Sequence, residues 1–172
     1  MFLCTKNDKS QTRLGRVAVF WYNSCMFYSH NEDELIAYGN RLGQELQAGD
    51  VLVLTGNLGA GKTTLTKGIA KGLDIHQMIK SPTYTIVREY EGRLPLYHLD
   101  VYRIGNDPDS IDLDDFLYGD GVTVIEWGEL LETDLLGDYL EIVIAPSGDG
   151  REITLHSNGS RSQELLEAIE RG

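Results

Sequence analysis

The sequence predicts an α/β domain built on a mixed sheet, with a small parallel core extended by antiparallel strands. Three observations carry that expectation. From Met26 onward, strand-like and helix-like patterns alternate. Val51-Leu52-Val53-Leu54 is a continuous apolar run, as a strand buried on both faces requires. The runs 84–90 with 94–99, and 139–145 with 151–156, lie in pairs across short turns, as antiparallel neighbours do.

The elements follow in order. Residues 26–29 read as a short strand. Residues 31–47 read as a helix, with Leu35, Ile36, Tyr38, Leu42 and Leu46 on one face and Glu32, Asp33 and Glu34 at its positive N-terminus. After the Gly49-Asp50 turn and the 51–54 strand, residues 62–72 read as a helix closed by Gly72. The runs 84–90 and 94–99 predict a hairpin across Glu91-Gly92-Arg93. The acidic stretch 109–118 reads as a helix. Residues 122–125 form a second apolar strand that ends in Glu126-Trp127. The pair 139–145 and 151–156 turns at Pro146-Ser147-Gly148-Asp149-Gly150, and residues 162–170 predict a last helix. No internal repeat, low-complexity tract or domain-dividing linker interrupts residues 26–172, which read as one domain.

Composition bounds the function. The chain has 172 residues and 41% hydrophobic content, enough for one core. Its longest apolar run, 17–22, falls far short of the roughly 20 residues a membrane span needs. Cys4 and Cys25 have no metal or redox spacing, which fits free thiols in a cytoplasmic protein. Residues 1–25 carry a charge of +3, so the overall −12 leaves −15 on the rest. Phosphate backbones repel such a body, so DNA binding is not expected and any RNA connection runs through a partner. Residues 1–25 read as a leader or flexible extension, with Met26 as a plausible alternative start.

Gly56-Asn57-Leu58-Gly59-Ala60-Gly61-Lys62-Thr63 matches G-x-x-x-x-G-K-[ST] in full, and Thr64 follows it. Each part has a chemical purpose. Glycines let successive backbone N–H groups turn inward toward phosphate oxygens, and the helix N-terminus adds its dipole. The Lys62 ammonium reaches the β- and γ-phosphates, and the Thr63 hydroxyl is a hard oxygen ligand for Mg²⁺. With the alternating pattern, this loop predicts a P-loop NTPase-like three-layer sandwich binding a nucleoside triphosphate, such as ATP, or its diphosphate, such as ADP, with Mg²⁺. Such a site also needs a strand-end acid for the metal or the water. Residues 96–100 end in Asp100 and 122–126 in Glu126, and periodicity does not say which of them meets the metal. Ser81-Pro82-Thr83-Tyr84-Thr85 reads as a plain turn or as a nucleotide-sensing segment. His98 and Trp127, each taken alone, read as packed residues.

Together these segments resemble the bacterial TsaE (YjeE) ATPases. The likeness rests on 57–64, on Ser81-Pro82-Thr83-Tyr84-Thr85, on His98-Leu99-Asp100-Val101-Tyr102-Arg103 and on Ile125-Glu126-Trp127, and it spans the chain from about Met26. It implies a partner-stimulated ATPase, weak alone, needed for the threonylcarbamoyl modification of adenosine 37 in tRNAs reading codons that begin with A. It implies the TsaB and TsaD proteins as partners, which hold the transfer site, with tRNA met only through the complex. Within the resemblance, residues 57–64 bind the nucleotide, and Lys62, Asp100 and Glu126 carry the chemistry. Thr63 and Glu126 take the metal, and Asp100 lies near the attacking water. Ser81, Thr83 and Thr85 form the switch-like loop, Tyr102 and Arg103 stabilise its surroundings, and Trp127 supports the site. One feature departs from the family. The first helix opens Asn31-Glu32-Asp33-Glu34-Leu35, without the threonine often found there beside the nucleotide, so no base-reading residue is assigned.

Three other classes compete. A small-molecule or nucleoside kinase would close an arginine-bearing lid, but Arg88, Arg93 and Arg103 are not clustered as one. A GTPase would need Asn-Lys-x-Asp, which the chain lacks. A scaffold with a structural nucleotide is the third reading.

Overall fold

The computed structural model describes residues 3–5, 24–104, 111–117 and 119–172. Its strands are β1 (Leu3–Thr5), β2 (Ser24–Ser29), β3 (Val51–Thr55), β4 (Val87–Tyr90), β5 (Leu96–Asp100), β6 (Val122–Glu126), β7 (Leu140–Ser147) and β8 (Gly150–Ser157). The helices are α1 (Glu32–Glu45), α2 (Lys62–Gly72) and α3 (Ser160–Arg171). The strands form one sheet in the order β1-β2-β8-β7-β3-β6-β5-β4. Strands β7, β3, β6 and β5 are parallel, while β4 on one side and β8 and β2 on the other add antiparallel pairs. The mixed sheet is as expected. Of the 1–25 extension, Leu3–Thr5 pairs with β2, and Ser24 and Cys25 lie within β2. The rest of it, including the apolar run 17–22, lies outside the described residues.

Strand periodicity sorts the core into two faces. On one face, Leu52 and Leu54 of β3 and Val122 and Val124 of β6 pack with Leu35, Leu42, Leu65, Ile69, Leu166 and Ile169 from all three helices. On the other, Val51, Val53, Leu99 and Ile125 meet Leu117, Leu131 and Leu136 from loops and short 3-10 turns. The three layers are therefore helices, sheet and a thinner cover of 3-10 turns. Leu42, Leu65 and Ile69 are fully buried, and such side chains stabilise by about 1.5–3 kcal/mol each. No helix among the described residues is long and apolar enough to cross a membrane.

Capping sets the limits of α1. The Asn31 side chain accepts from Glu34 N at 2.9 Å, and Glu34 Oε2 accepts from His30 N at 2.8 Å. At the far end Arg93 Nη2 donates to the carbonyls of Gly43, Gln44 and Leu46, the acceptors a helix leaves unpaired. Helices α1 and α2 cross in backbone contact. A Cβ on Gly39, Gly43, Gly68 or Gly72 would collide with main-chain atoms of the opposite helix.

Three local expectations are corrected. Gly72 does not close α2, since Leu73 caps it and Asp74 takes the left-handed position at φ 57°. Gly72 instead admits the backbone of α1. Residues 84–86 are not strand, because Ile86 sits at φ 68° and turns the chain into β4. The acidic stretch 109–118 holds no α-helix among its described residues, only a 3-10 turn at Leu113–Asp115. Asp112 accepts from Asp114 N at 3.2 Å, a local bond that competes with helix. Residues 109, 110 and 118 lie outside the described residues.

Candidate functional site

Strand β3 ends at Thr55 and α2 begins at Lys62, so residues 56–61 must reverse the chain within a few residues. Gly59 at φ 78° and Gly61 at φ 115° supply the left-handed backbone this needs. Gly56 lies so close to the Ile144 carbonyl that a side chain there would clash. The first-turn N–H groups of α2 thus face the C-terminal ends of the parallel strands, the edge where open α/β sheets bind ligands.

Lys62 is 5% exposed. Its ammonium donates to the carbonyls of Gly56 and, at 3.1 Å, Asn57, and stands 3.9 Å above the centre of the Trp127 ring. Burial pulls its pKa below the ordinary lysine value, and the charges of Glu126, Glu129 and Asp100 partly restore it. Trp127 holds this place through a left-handed backbone at φ 63°, with its N–H on the Leu54 carbonyl at 3.2 Å. Tyr102 also packs against Trp127, ring centres 5.0 Å apart. Trp127 is half-buried against a cation rather than lost in the core.

The two strand-end acids are register neighbours, Asp100 opposite Glu126, both buried. Their environments differ. Glu126 Oε1 accepts from Thr63 Oγ1 at 2.9 Å and faces His98 Nε2 at 2.8 Å. His98 has no exposed surface, and its Nδ1 has no partner among the described residues, so the bonding proton sits on Nε2. Asp100 serves the other loop: Oδ2 accepts from Thr83 Oγ1 at 3.0 Å, and Oδ1 from Tyr102 N at 3.0 Å. Ser81 Oγ lies 2.6 Å from Thr83 Oγ1, extending that chain of hydroxyls.

Thr63 and Glu126 form a pair of hard oxygen donors, with one carboxylate charge. That set suits Mg²⁺ completed by phosphate oxygens and water, and a fully protein-made cage is not what this cation prefers.

The structure brings Lys62, Thr63, Asp100, Glu126, Trp127, Thr83 and Tyr102 into one cluster. Ser81 joins through Thr83. Thr85 Oγ1 bonds locally to the Pro82 carbonyl at 3.4 Å, and Arg103 stacks on Tyr84 at 4.7 Å, so neither meets the acids. Leu58 at the loop tip is exposed and Ala60 buried. Thr64 Oγ1 donates to Glu32 Oε1 at 3.2 Å, tying the loop to the start of α1.

Two residues escaped the sequence reading. His98 is packed as read, but its work is to hold Glu126. The signal was its spacing, two residues before Asp100 and therefore on the same face of β5. Arg151, at the start of β8, donates Nε to the Ala60 carbonyl at 2.8 Å. It lies 91 residues from that carbonyl, and no local pattern announces it. Arg151 also lines a cavity of about 260 Å³ beside the loop, with Ser29, His30, Glu32, Gly61 and Thr64.

Comparison with known proteins gives a consistent result. The family model "Threonylcarbamoyl adenosine biosynthesis protein TsaE" matches residues 29–153. The tRNA threonylcarbamoyladenosine biosynthesis protein TsaE of Bacillus subtilis (strain 168) is 46% identical over 143 residues, 82% of this chain and 90% of that protein. The protein of the same name from Treponema pallidum (strain Nichols) is 43% identical over 130 residues, 74% of this chain and 96% of that protein. Among solved structures, Bacillus subtilis YdiB superposes with a TM-score of 0.79 at 40% identity, covering 88% of this chain and 97% of that one.

Proposed function

This chain belongs to the threonylcarbamoyl adenosine biosynthesis protein TsaE family, and we propose that it serves tRNA threonylcarbamoyladenosine biosynthesis as an Mg²⁺-dependent ATPase. In this reading it acts with the TsaB–TsaD pair in the cytoplasm, meets tRNA only through that complex, and leaves the threonylcarbamoyl transfer to its partners. The observation that carries it is the Thr63–Glu126 contact at 2.9 Å, beside the Lys62 ammonium and the register neighbour Asp100.

The residues divide the work as follows. The loop amides and Lys62 receive the β- and γ-phosphates. Lys62 exchanges its bonds to the Gly56 and Asn57 carbonyls for phosphate oxygens, each bond to its charge being worth about 1.5–3 kcal/mol. Thr63 and Glu126 hold Mg²⁺, which neutralises charge developing on the phosphates when it is bound. His98 fixes the Glu126 carboxylate. Asp100 orients the water that attacks the γ-phosphorus. The bond from that phosphorus to the β–γ bridging oxygen breaks, ADP leaves, and the water's proton passes to the products or to solvent. Thr83 and Ser81, bonded in series to Asp100, couple this water to the 81–85 loop. The cavity bounded by His30, Glu32 and Thr64 gives the nucleoside room beside the loop.

The kinase reading loses support from the arginines. Arg93 caps α1 and Arg103 stacks on Tyr84, so two of the three are committed away from a phosphate lid. The deciding experiment measures ATP turnover with and without TsaB–TsaD. Turnover is expected to be slow alone and faster with both partners, and Lys62→Ala to abolish nucleotide binding and modification. Phosphate transfer to an added small molecule rather than water would support the kinase, and an active Lys62→Ala variant would overturn the mechanism.

A further inference from the structure

Arg151 belongs to a strand far from the phosphate-binding sequence, yet its Nε donates 2.8 Å to the Ala60 carbonyl inside the loop. Its Nη1 also donates, at 3.1 Å, to the Gly150 carbonyl of its own turn. The guanidinium is therefore held between two backbone oxygens. The turn that carries it is itself anchored: Tyr28 Oη donates to the Ser147 carbonyl at 2.7 Å, and Ser29 of β2 is the register partner of Arg151. Gly150 admits no side chain, because a Cβ there would strike the Ser29 carbonyl and the Tyr28 ring.

Ala60 sits between two left-handed glycines, Gly59 at φ 78° and Gly61 at φ 115°. Glycine reaches either sign of φ at little cost, so the 60–61 peptide, whose flip changes Ala60 ψ and Gly61 φ, can turn over without the strain a side chain at 61 would impose. In a trans peptide the C=O and the following N–H point in opposite directions. A carbonyl pinned to Arg151 therefore aims the Gly61 N–H away from the guanidinium. No hydrogen bond among the described residues takes up that N–H.

We infer that Arg151 is a positioning residue for phosphate binding: by holding the Ala60 carbonyl it fixes the 60–61 peptide so that the Gly61 N–H faces the phosphates. The inference rests on the ATP-binding reading above and adds the group that keeps the loop in its binding-competent form. A flipped peptide would present the Ala60 carbonyl to the phosphates, a repulsive contact in place of an attractive one.

The test uses the full chain with ¹⁵N-labelled glycine and compares Arg151→Ala with Arg151→Lys. Kd for ATP is measured by calorimetry, and the Gly61 amide resonance is followed as ATP is added. Wild-type Gly61 is expected to show a large downfield shift. Arg151→Ala is expected to raise Kd about tenfold, the scale of one lost charge-assisted bond, and to lose the Gly61 response. Arg151→Lys, which keeps a cationic donor, is expected to recover most of both. An Arg151→Ala variant with unchanged Kd and Gly61 shift overturns the inference. So does equal weakening in both variants with the Gly61 response intact, the mark of a general packing effect. Should Arg151→Ala fail to fold, Arg151→Lys and Arg151→Gln decide by the same resonance. A wild-type protein that binds no ATP overturns the proposed function and this inference together, whereas failure in the variants alone overturns only the inference.

Discussion

Replacing Glu126 by alanine should damage the metal dependence of turnover, while replacing Asp100 should damage the chemical step. Burial does not separate the two, since Glu126 is 4% exposed and Asp100 3%. Contacts do. Glu126 is the acid that touches Thr63, and Asp100 is the acid that touches Thr83 and the Tyr102 amide. Glu126→Ala removes the one carboxylate of the Thr63 donor pair and strands the buried His98 N–H without an acceptor. An interaction with a charged group at this depth is worth about 1.5–3 kcal/mol, so half-saturating Mg²⁺ should rise by roughly 10- to 100-fold. The stranded His98 donor adds a stability loss of about 1–3 kcal/mol. Asp100→Ala should lower kcat by roughly 10²- to 10⁴-fold, the range for a group that positions or deprotonates a nucleophile, with half-saturating Mg²⁺ nearly unchanged. The assay is a Mg²⁺ titration of ATP turnover at fixed ATP, with TsaB and TsaD present. If Asp100→Ala shifts the Mg²⁺ midpoint more than Glu126→Ala does, the division of labour is wrong.

Substitutions at two further positions test positioning and packing. His98→Gln can place an amide N–H near Nε2 and should keep most Mg²⁺-dependent turnover, whereas His98→Leu should raise the Mg²⁺ midpoint by roughly tenfold; equal activity of the two in the same titration would remove His98 from the site. Gly43→Ala in α1 would gain about 1 kcal/mol on an exposed helix. Here its Cβ meets the Ile69 carbonyl of α2, and overpacking of about 2–3 kcal/mol should win, a net loss of about 1–2 kcal/mol that lowers Tm by roughly 2–8 °C. A thermal melt showing a higher Tm would mean that the helices separate freely.

Much of the molecule was written locally. The 3.6-residue stripe of α1, the apolar runs of β3 and β6, the two antiparallel pairs and the contiguous loop 56–63 depend on neighbours a few residues apart, and they formed close to where their patterns placed them, apart from residues 84–86, which turn the chain into β4. Among the described residues of the acidic stretch, 111–117, the Asp112 side chain takes the Asp114 N–H in a local bond that competes with helix, and composition does not weigh the two. Gly39, Gly43, Gly68 and Gly72 are what let α1 and α2 touch. Their meaning exists only once the partner helix is present.

The glycine loop between β3 and α2 and the two strand-end acids were therefore legible in the sequence alone. Which acid faces Thr63 was not, because a period of two assigns a face and leaves strand order open. The order β7-β3-β6-β5 puts Glu126 beside the start of α2 and Asp100 one strand further out, next to the 81–85 loop. The same closure of distant chain brought Arg151 to the Ala60 carbonyl across 91 residues. Contacts of that length are set by how the whole sheet packs, so which acid meets Thr63 and which meets the 81–85 loop belongs to the tertiary structure.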